Sequence, residues 1–343
     1  LSTMLAARAS HPLPPKPGQM SLAARSWAGF FAGAFPDIDF IAGFAGITAY
    51  LNYHRGITHS LLMIPLWALL LASLFSLLSR GRYEWRAFYG VCVLSLFVHI
   101  FGDIITAYGT MVFAPFSDYK LSFPTTFIID PYFTGIILLG LILSFTLKRQ
   151  AQKFALYGFA VLLVYVLAQS WWQNMAIKEA YTSIPVTKLD NAKVHALPQP
   201  VSPFNWKIII ATPEHYYVRY INLFRSEELH NSPQANIFSR ANALYLPLQE
   251  IEWEVIPKFG VGPTQEIAQR IWQDDALADV RRFMLFPAVF RFEQAADYTC
   301  VWFADQRFVL GKLRAPFIFG GCEQHGTQKR KFFRLQDEQP VPL

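Results

Sequence analysis

The sequence predicts a polytopic α-helical membrane bundle of about five spans, followed by an α+β domain outside the membrane. The 343-residue chain is 53% hydrophobic and only 16% charged, which is less charge than soluble domains carry. Its long apolar windows all lie before residue 172, and a bilayer span needs roughly 20 such residues. After residue 172 the chain shows short β-branched and aromatic runs bounded by turn residues. We therefore expect a membrane domain at 1–172 and an extracytoplasmic domain at 173–343.

The predicted membrane domain contains five apolar windows. They are residues 27–44, 61–78, 87–105, 133–147 and 154–171. The first window is the least regular, because Pro36 disfavours helix in the residue before it. Helices are expected from about 56 to 78 and from about 84 to 105, with a long loop at 106–130. The opening segment LSTMLAARAS reads as the end of an apolar helix, so one further span is expected before it.

Basic residues indicate the orientation of this domain. Residues 1–172 contain 11 Lys/Arg and 6 Asp/Glu, whereas the remainder contains 19 and 18. Nine of these 11 basic residues form three groups: Arg8, Lys16 and Arg25; Arg80, Arg82 and Arg86; and Lys148, Arg149 and Lys153. The positive-inside rule places these groups in the cytoplasm and the alternate segments, with the tail, outside. The net charge of +6 thus reports topology, so the expected partner is the lipid bilayer and no nucleic acid is predicted.

The tail is predicted to be a mostly antiparallel sheet with one helix. The runs WKIIIA, YYVRYINLF, AVFRFEQ, TCVWFAD and FVLGKL are typical of strands, and DDALADVRRFMLF is typical of a helix. Cys300 and Cys322 lie in this domain, and with Cys92 they make no metal-binding spacing. Outside the cytoplasm a disulfide between Cys300 and Cys322 is possible, and the alternative is two buried thiols.

Two short motifs place carboxylates at the predicted outer ends of spans. His99 and Asp103, in HIFGD, are four residues apart and so share one face of a helix. Asp37 and Asp39, in PDID, follow a proline. A helix would direct them to nearly opposite sides, whereas a turn can direct both carboxylates to one point.

A third motif, HRGITHS at residues 54–60, adds two imidazoles and a guanidinium at the mouth of the next span. His54 and His59 are five residues apart, which a continuous helix would not align. Gly56 permits a break, with His54 in a loop and His59 in the first helical turn. Thr58 or Ser60 is expected to cap this helix or to support a histidine.

Imidazole and carboxylate together favour a divalent metal, with zinc first and manganese or iron as alternatives. The candidate ligands are Asp37, Asp39, His54, His59, His99 and Asp103. Because tetrahedral zinc takes four ligands, the alternatives are two metals, or one metal and a carboxylate left as general base. Asp39 or Asp103 would be that base. Arg55 would stabilise charge developing on a phosphoryl or acyl oxygen.

Each motif taken alone has a structural explanation. A His–Asp pair between membrane helices is often a hydrogen bond, PDID is often a turn, and interfacial histidines often contact lipid head groups. Ionisable residues within spans are costly, however, and the three motifs fall on the same predicted side of the membrane. Their joint occurrence favours a functional site.

The segments FPDIDF, HRGITHS, HIFGD and YGTMVFAPFSD…FIIDPYF resemble, in order and spacing, the YdjM-like family of bacterial membrane-bound metal-dependent hydrolases. The resemblance implies a multi-pass inner-membrane protein that uses a divalent metal. The resemblance implies that the polar motif positions of the family correspond in this sequence to Asp37, Asp39, His54, Arg55, His59, His99 and Asp103. Asp130 corresponds to a further acidic position. It also implies a Thr-His pair at the head of an N-terminal helix, which this sequence begins too late to contain.

We therefore expect a metal-dependent hydrolase at the outer face of the inner membrane, acting on an envelope or lipid-linked substrate, such as a phosphoester. One alternative is a protein that binds or passes a metal ion or protons. A second is a membrane anchor for a binding domain at 173–343. A transport route carries polar groups through the whole depth of the membrane. Here the histidines and aspartates cluster at one end of the spans, which favours a binding or catalytic site over a transport pathway.

Overall fold

The computed structural model of the chain describes residues 1–11, 19–184, 189, 191–229, 236–250, 252–311, 315–327 and 329–343. It divides into two compact units. Unit 1 consists of Leu1–Ala42 and Tyr53–Trp171, and unit 2 consists of Gly43–Asn52 and Trp172–Leu343. Lys16, one of the basic residues that predict topology, lies outside the described residues. Unit 2 includes a short stretch from within the predicted membrane domain.

Helices make up most of the regular structure in the first half of the chain. They are α1 Ser2–Ala9, α2 Leu22–Ala34, α3 Ile47–Tyr53, α4 Ile64–Leu78, α5 Trp85–Ile104, α6 Pro131–Thr146 and α7 Ala151–Ser183. Three short 3₁₀ helices join them, at Pro36–Ala45, Ile57–His59 and Lys148–Gln150. Residues 105–130 contain no helix, as predicted for the long loop.

Three helical stretches of the described chain are long and apolar enough to cross a membrane: Leu22–Ala45, Trp85–Ile104 and Lys148–Ser183. A fourth is counted if Ile47–His59 and Ile64–Leu78, which are bent by 79° to each other, form one broken span. The 16 residues of α6 extend about 24 Å at 1.5 Å per residue, which is short of a hydrocarbon core of about 30 Å. The helical region is confirmed, but the count of five spans is not.

The expected continuous helix from 56 to 78 is wrong. The chain leaves the 3₁₀ helix at Ser60, whose hydroxyl donates to the carbonyl oxygens of Val112 (3.2 Å) and Ala114 (2.6 Å). Helix α4 then starts at Ile64 with Pro65 in its first turn. Proline has no N–H and is tolerated only there, so a new helix begins at this point.

The core of unit 1 lies where α2 and α4 pack on α5. Small side chains at helical spacing, Ala28 with Ala32 and Ala68 with Ala72, are buried there and allow close approach of the helices. Gly33 of α2 faces α1, and a Cβ at this position would lie 2.2 Å from the Thr3 hydroxyl oxygen. This packing holds α5, which carries HIFGD, rigidly among its neighbours.

Unit 2 contains two antiparallel sheets. The strands are β1 Lys193–Pro198, β2 Asn205–Ala211, β3 His215–Asn222, β4 Glu254–Pro257, β5 Pro287–Gln294, β6 Tyr298–Asp305, β7 Ile318–Gln324, β8 Arg330–Gln336 and β9 Gln339–Pro342. The strand orders are β1-β2-β3-β4 and β5-β6-β7-β8-β9, with every pairing antiparallel. Helices α8 Ile237–Asn242, α9 Pro263–Gln273 and α10 Ala278–Phe283 lie between strands. The expected antiparallel α+β character is confirmed.

Two local predictions in unit 2 differ from the structure. The segment FVLGKL forms no strand in its described part. A turn ends β6 there, because the Asp305 carboxylate accepts the backbone N–H of Arg307 at 2.9 Å. The predicted helix at 274–286 is split into a 3₁₀ turn, Asp275–Leu277, and α10. Asp274 caps that turn by accepting the N–H of Ala276, which starts a new helical segment.

Buried polar contacts and a disulfide stabilise unit 2. The Lys207 ammonium on β2 is fully buried and donates to the carbonyl oxygens of Gln306 (2.7 Å) and Val309 (2.8 Å), which ties the first sheet to the segment after β6. Burial lowers the pKa of Lys207 to about 7. Cys300 and Cys322, directly paired on β6 and β7, form a disulfide.

Candidate metal centre

Four side chains from three separate segments of unit 1 converge. Asp37, His59, His99 and Asp103 each offer one donor atom, and the four atoms all lie within 4.8 Å of one another. Asp37 comes from the 3₁₀ helix after α2, His59 from the 3₁₀ helix before α4, and the other two from the last turns of α5. The fold therefore unites the motifs PDID, HRGITHS and HIFGD at one point.

The spacing of the four donors approaches a tetrahedron. With zinc bonds of about 2.0–2.1 Å, the edges of a tetrahedral shell would measure about 3.3 Å. The His59 Nε2 atom lies 3.2 Å from His99 Nε2, 3.0 Å from Asp103 Oδ2 and 3.7 Å from Asp37 Oδ1. The His99 Nε2 atom lies 3.3 Å from Asp103 Oδ2 and 3.5 Å from Asp37 Oδ1. Five of the six edges thus fall near the length that one central cation requires.

The centre is closed on three sides and open on the fourth. His59 is fully buried, and the side chains of His99 and Asp103 are about 15% exposed. The Asp37 side chain is 60% exposed. A ligand therefore reaches the four donor atoms from the side of Asp37.

Asp39 lies behind the four donors, where it holds the motif HRGITHS. Its Oδ1 atom is 2.8 Å from His54 Nδ1, and its Oδ2 atom is 3.1 Å from His59 Nδ1. The same Oδ2 atom accepts the Arg55 backbone N–H at 2.8 Å and the Thr58 hydroxyl at 3.1 Å. A carboxylate on Nδ1 fixes the ring and leaves Nε2 as the donor to a metal. Asp39 and His54, both predicted as ligands, are outside the four-donor group and support it instead.

Arg55 connects the three segments. Its backbone lies in the left-handed region at φ 57°, and its carbonyl accepts the Met111 N–H at 2.9 Å. Its buried guanidinium forms an ion pair with Asp103 Oδ1 at 2.9 Å and donates to the Thr106 hydroxyl at 2.8 Å. The expected contact of Arg55 with a substrate oxyanion stays a prediction. In the structure the guanidinium orients a candidate ligand.

Two residues near the centre, Thr106 and Tyr108, were not predicted from the sequence. Thr106 connects Arg55 to the end of α5, since its hydroxyl also donates to the Asp103 carbonyl at 2.8 Å. The ring of Tyr108 lies 5.2 Å from the His54 ring and 5.1 Å from the Arg55 guanidinium carbon. The position of Thr106, three residues after Asp103 at the end of a helix, could have predicted its contact with the centre. No sequence pattern pointed to Tyr108.

Asp130 has a structural role in the described residues. It caps α6 by accepting the backbone N–H groups of Tyr132 (2.8 Å) and Phe133 (2.9 Å). Its other oxygen accepts hydrogen bonds from the Tyr165 hydroxyl at 2.8 Å and the Gln169 amide at 2.9 Å. These contacts satisfy the carboxylate as a helix cap and do not make it a fifth donor of the centre.

Comparison with known proteins agrees with the arrangement of motifs. Residues 1–176 match the family model described as YdjM inner membrane protein. The chain belongs to the YdjM inner membrane protein family. A protein of Bacillus subtilis (strain 168), described as uncharacterized protein YfhP, is 23% identical over 248 residues, which cover 56% of this chain and 75% of that protein. No solved structure matches the chain.

The donor arrangement of this YdjM-family centre fits a cation. With a proton on His59 Nδ1, which lies 3.1 Å from Asp39 Oδ2 and 3.1 Å from the Thr58 hydroxyl oxygen, a neutral ring presents its Nε2 lone pair. This lone pair faces Asp103 Oδ2, a buried oxygen that accepts no hydrogen bond from the described residues. Two facing acceptors repel each other unless a proton or a metal ion lies between them. Two nitrogens and two oxygens suit zinc, manganese or iron.

Proposed function

We propose that this protein is a metal-dependent hydrolase of the inner membrane, with its site at the outer face. The observation that carries the proposal is the near-tetrahedral set of two imidazoles and two carboxylates, open on the side of Asp37. Structural zinc sites have four protein ligands, whereas catalytic sites keep one position for water or substrate. The exposed Asp37 carboxylate favours chemistry over structural bracing, because water or substrate could take its place beside the three more buried donors.

Each residue has a role in the proposed reaction. Asp37 Oδ1, His59 Nε2, His99 Nε2 and Asp103 Oδ2 would hold the metal. A bound divalent ion supplies Lewis-acid polarisation of a carbonyl or phosphoryl oxygen and makes water a better nucleophile. Asp39 keeps the His59 ring in the correct tautomer. Asp37 is the most exposed of the four ligands, so it is the one that water could displace, and its freed carboxylate would be better placed than Asp39 or Asp103 to accept a proton from that water and release it to solvent.

Metal content is the first test of the proposal. Wild-type protein purified in detergent without chelator is expected to contain about one divalent ion per chain, because the four donors match one tetrahedral shell. Elemental analysis measures the ion. Hydrolysis of 4-nitrophenyl phosphate and 4-nitrophenyl acetate, before and after chelation, tests the activity.

The matched control is Asp130→Asn, which changes a buried carboxylate outside the centre and should retain the metal. A stable, metal-free wild type contradicts the proposal and favours the membrane-anchored binding domain. Bound metal without hydrolysis of either ester favours the alternative that the protein binds or passes a cation.

The disulfide supports the proposed orientation of the tail. Disulfides persist in oxidising compartments and are rare in the cytosol, so Cys300–Cys322 fits an extracytoplasmic unit 2. In denatured whole-cell extracts quenched with acid, a mass-tagging maleimide is expected to label only Cys92 before reduction and all three cysteines after it. The Cys300→Ser/Cys322→Ser variant should accept one tag in both conditions. Three tags on wild type without reduction would contradict the outward orientation.

A further inference from the structure

We propose that the candidate metal centre takes its substrate directly from the bilayer, and that this substrate is an amphipathic lipid ester. Its polar head would meet the donors at Asp37, and its chains would lie against Ile38, Ile41 and Ile57. The inference rests on the proposed hydrolase function and adds the substrate class and the route of entry.

The first observation is the depth of the centre along α5. This helix has 20 residues, so it is about 30 Å long and matches the hydrocarbon thickness of a bilayer. His99 and Asp103 lie five residues and one residue before its end at Ile104, which corresponds to about 8 Å and 2 Å along the axis. His99 and Asp103 are therefore placed at the boundary between acyl chains and head groups.

The second observation is the exposure of apolar side chains on the two segments that carry Asp37 and His59. Asp37 is followed by Ile38 and Ile41, which are 48% and 53% exposed, and Ile57, the first residue of the 3₁₀ helix that carries His59, is 45% exposed. These residues belong to 3₁₀ segments that hold candidate ligands, and the spanning helices do not bury them. These three isoleucines, called the apolar rim below, adjoin two of the donors along the chain. Such exposure is unfavourable in water but is expected of a surface that contacts lipid in an inner-membrane protein.

The chemistry of lipids fits this arrangement. In a bilayer lipid, the ester bonds lie between the apolar chains and the polar head, which is the depth inferred for His99 and Asp103. Hydrolysis adds water across one such bond: the water oxygen joins the acyl carbon or the phosphorus, the bond to the alcohol oxygen breaks, and the alcohol leaves with a proton. No oxidant or further reactant is required. The products of hydrolysis show whether the acyl ester or the phosphoester bond is the one cleaved.

Spin-label accessibility tests the route of entry without a substrate. Ile41→Cys, in a Cys92→Ala background, is labelled with a nitroxide and reconstituted into phosphatidylglycerol–phosphatidylcholine vesicles. Leu70→Cys on α4, 49% exposed, is the lipid-facing reference, and Phe238→Cys in unit 2, 71% exposed, is the water-facing reference. The label at position 41 is expected to collide with oxygen more, and with a nickel chelate less, than the label at position 238. Accessibility equal to that at position 238 overturns the proposal.

Turnover tests the substrate class. Dioleoyl phosphatidylglycerol and its soluble dihexanoyl analogue contain the same ester bonds. A difference between their hydrolysis rates therefore measures the contribution of the acyl chains to recognition. Wild type is expected to hydrolyse the long-chain lipid at least about tenfold faster, equivalent to about 1.4 kcal/mol. Released fatty acid identifies an acyl ester, and released glycerol or glycerol phosphate identifies a phosphoester.

Variants separate this inference from the proposed function. Ile38→Ser/Ile41→Ser should lose the chain-length preference while retaining metal, and Leu74→Ser on lipid-facing α4 should keep both. The lipid inference is overturned if the protein hydrolyses 4-nitrophenyl esters but either does not hydrolyse the long-chain lipid or shows no preference for it. The proposed hydrolase function would still stand in that case. A metal-free protein overturns the hydrolase, and the spin labels still decide whether the rim contacts lipid.

Discussion

Replacing His59 or His99 by alanine is expected to remove bound metal and hydrolytic activity together. Each histidine contributes one Nε2 atom to the four-donor group, and the two atoms are 3.2 Å apart. Loss of one ligand opens the coordination shell, so the effect should exceed the 10–100-fold loss of affinity that is typical of losing an outer partner. Elemental analysis and competition with a chelating dye measure the affinity.

His54→Ala is the matched control for these two substitutions. Its ring lies against Asp39 and is outside the four-donor group, so we expect a weaker site that still binds metal, with affinity reduced by no more than about 10–100-fold. If His54→Ala removed the metal as completely as His59→Ala, the assignment of four inner donors would be wrong. If none of the three changes affected metal content, the cluster would be a set of interhelical hydrogen bonds.

Arg55→Ala is expected to weaken metal binding by about 10–100-fold, because the guanidinium orients Asp103 and does not contact the donors' open side. The change leaves a buried carboxylate without its ion-pair partner, a loss that typically destabilises by about 3–5 kcal/mol. Arg55→Lys keeps the charge but lacks the fork that reaches both Asp103 and Thr106, so it should show an intermediate affinity. Metal titration and thermal unfolding of the detergent-solubilised protein measure both effects.

The same variant distinguishes two roles for Arg55. If the guanidinium instead binds a substrate oxyanion, as the sequence suggested, Arg55→Ala should retain wild-type metal affinity and lose only turnover, by about 10²–10³-fold. Arg86→Ala is the control for loss of a cation, since Arg86 lies at the start of α5 with an exposed side chain. Unchanged metal affinity in Arg55→Ala would contradict the positioning role.

The sequence was sufficient for the features that depend on local pattern. The apolar composition and length of the segment predicted as a helix from about 84 to 105 matched α5 within one residue at each end, because an apolar helix of 20 residues has a strong composition signal. The same helix fixed His99 and Asp103 on one face, since residues four apart in a helix are neighbours. The antiparallel character of unit 2 followed from short strands separated by turn residues.

The break before α4 was not predicted from the sequence. The apolar run that begins at Leu61 continues without a change of composition, so periodicity alone extended the helix back to Gly56. The tertiary contacts of Ser60 with the loop carbonyls of Val112 and Ala114 hold the chain out of helix there, together with Pro65. That bend turns His59 inward, toward α5.

The sequence by itself determined which residue types are available to a metal: three carboxylates, three imidazoles and one guanidinium in three short motifs. Only the tertiary structure decided how they divide: Asp37, His59, His99 and Asp103 offer four clustered donor atoms, and Asp39, His54 and Arg55 contact that cluster or its neighbours. The physical reason is that donor geometry depends on distances between segments as far apart as residues 37 and 103. Spacing along the chain fixes such distances only within one helix, and packing of α2, α4 and α5 sets the rest.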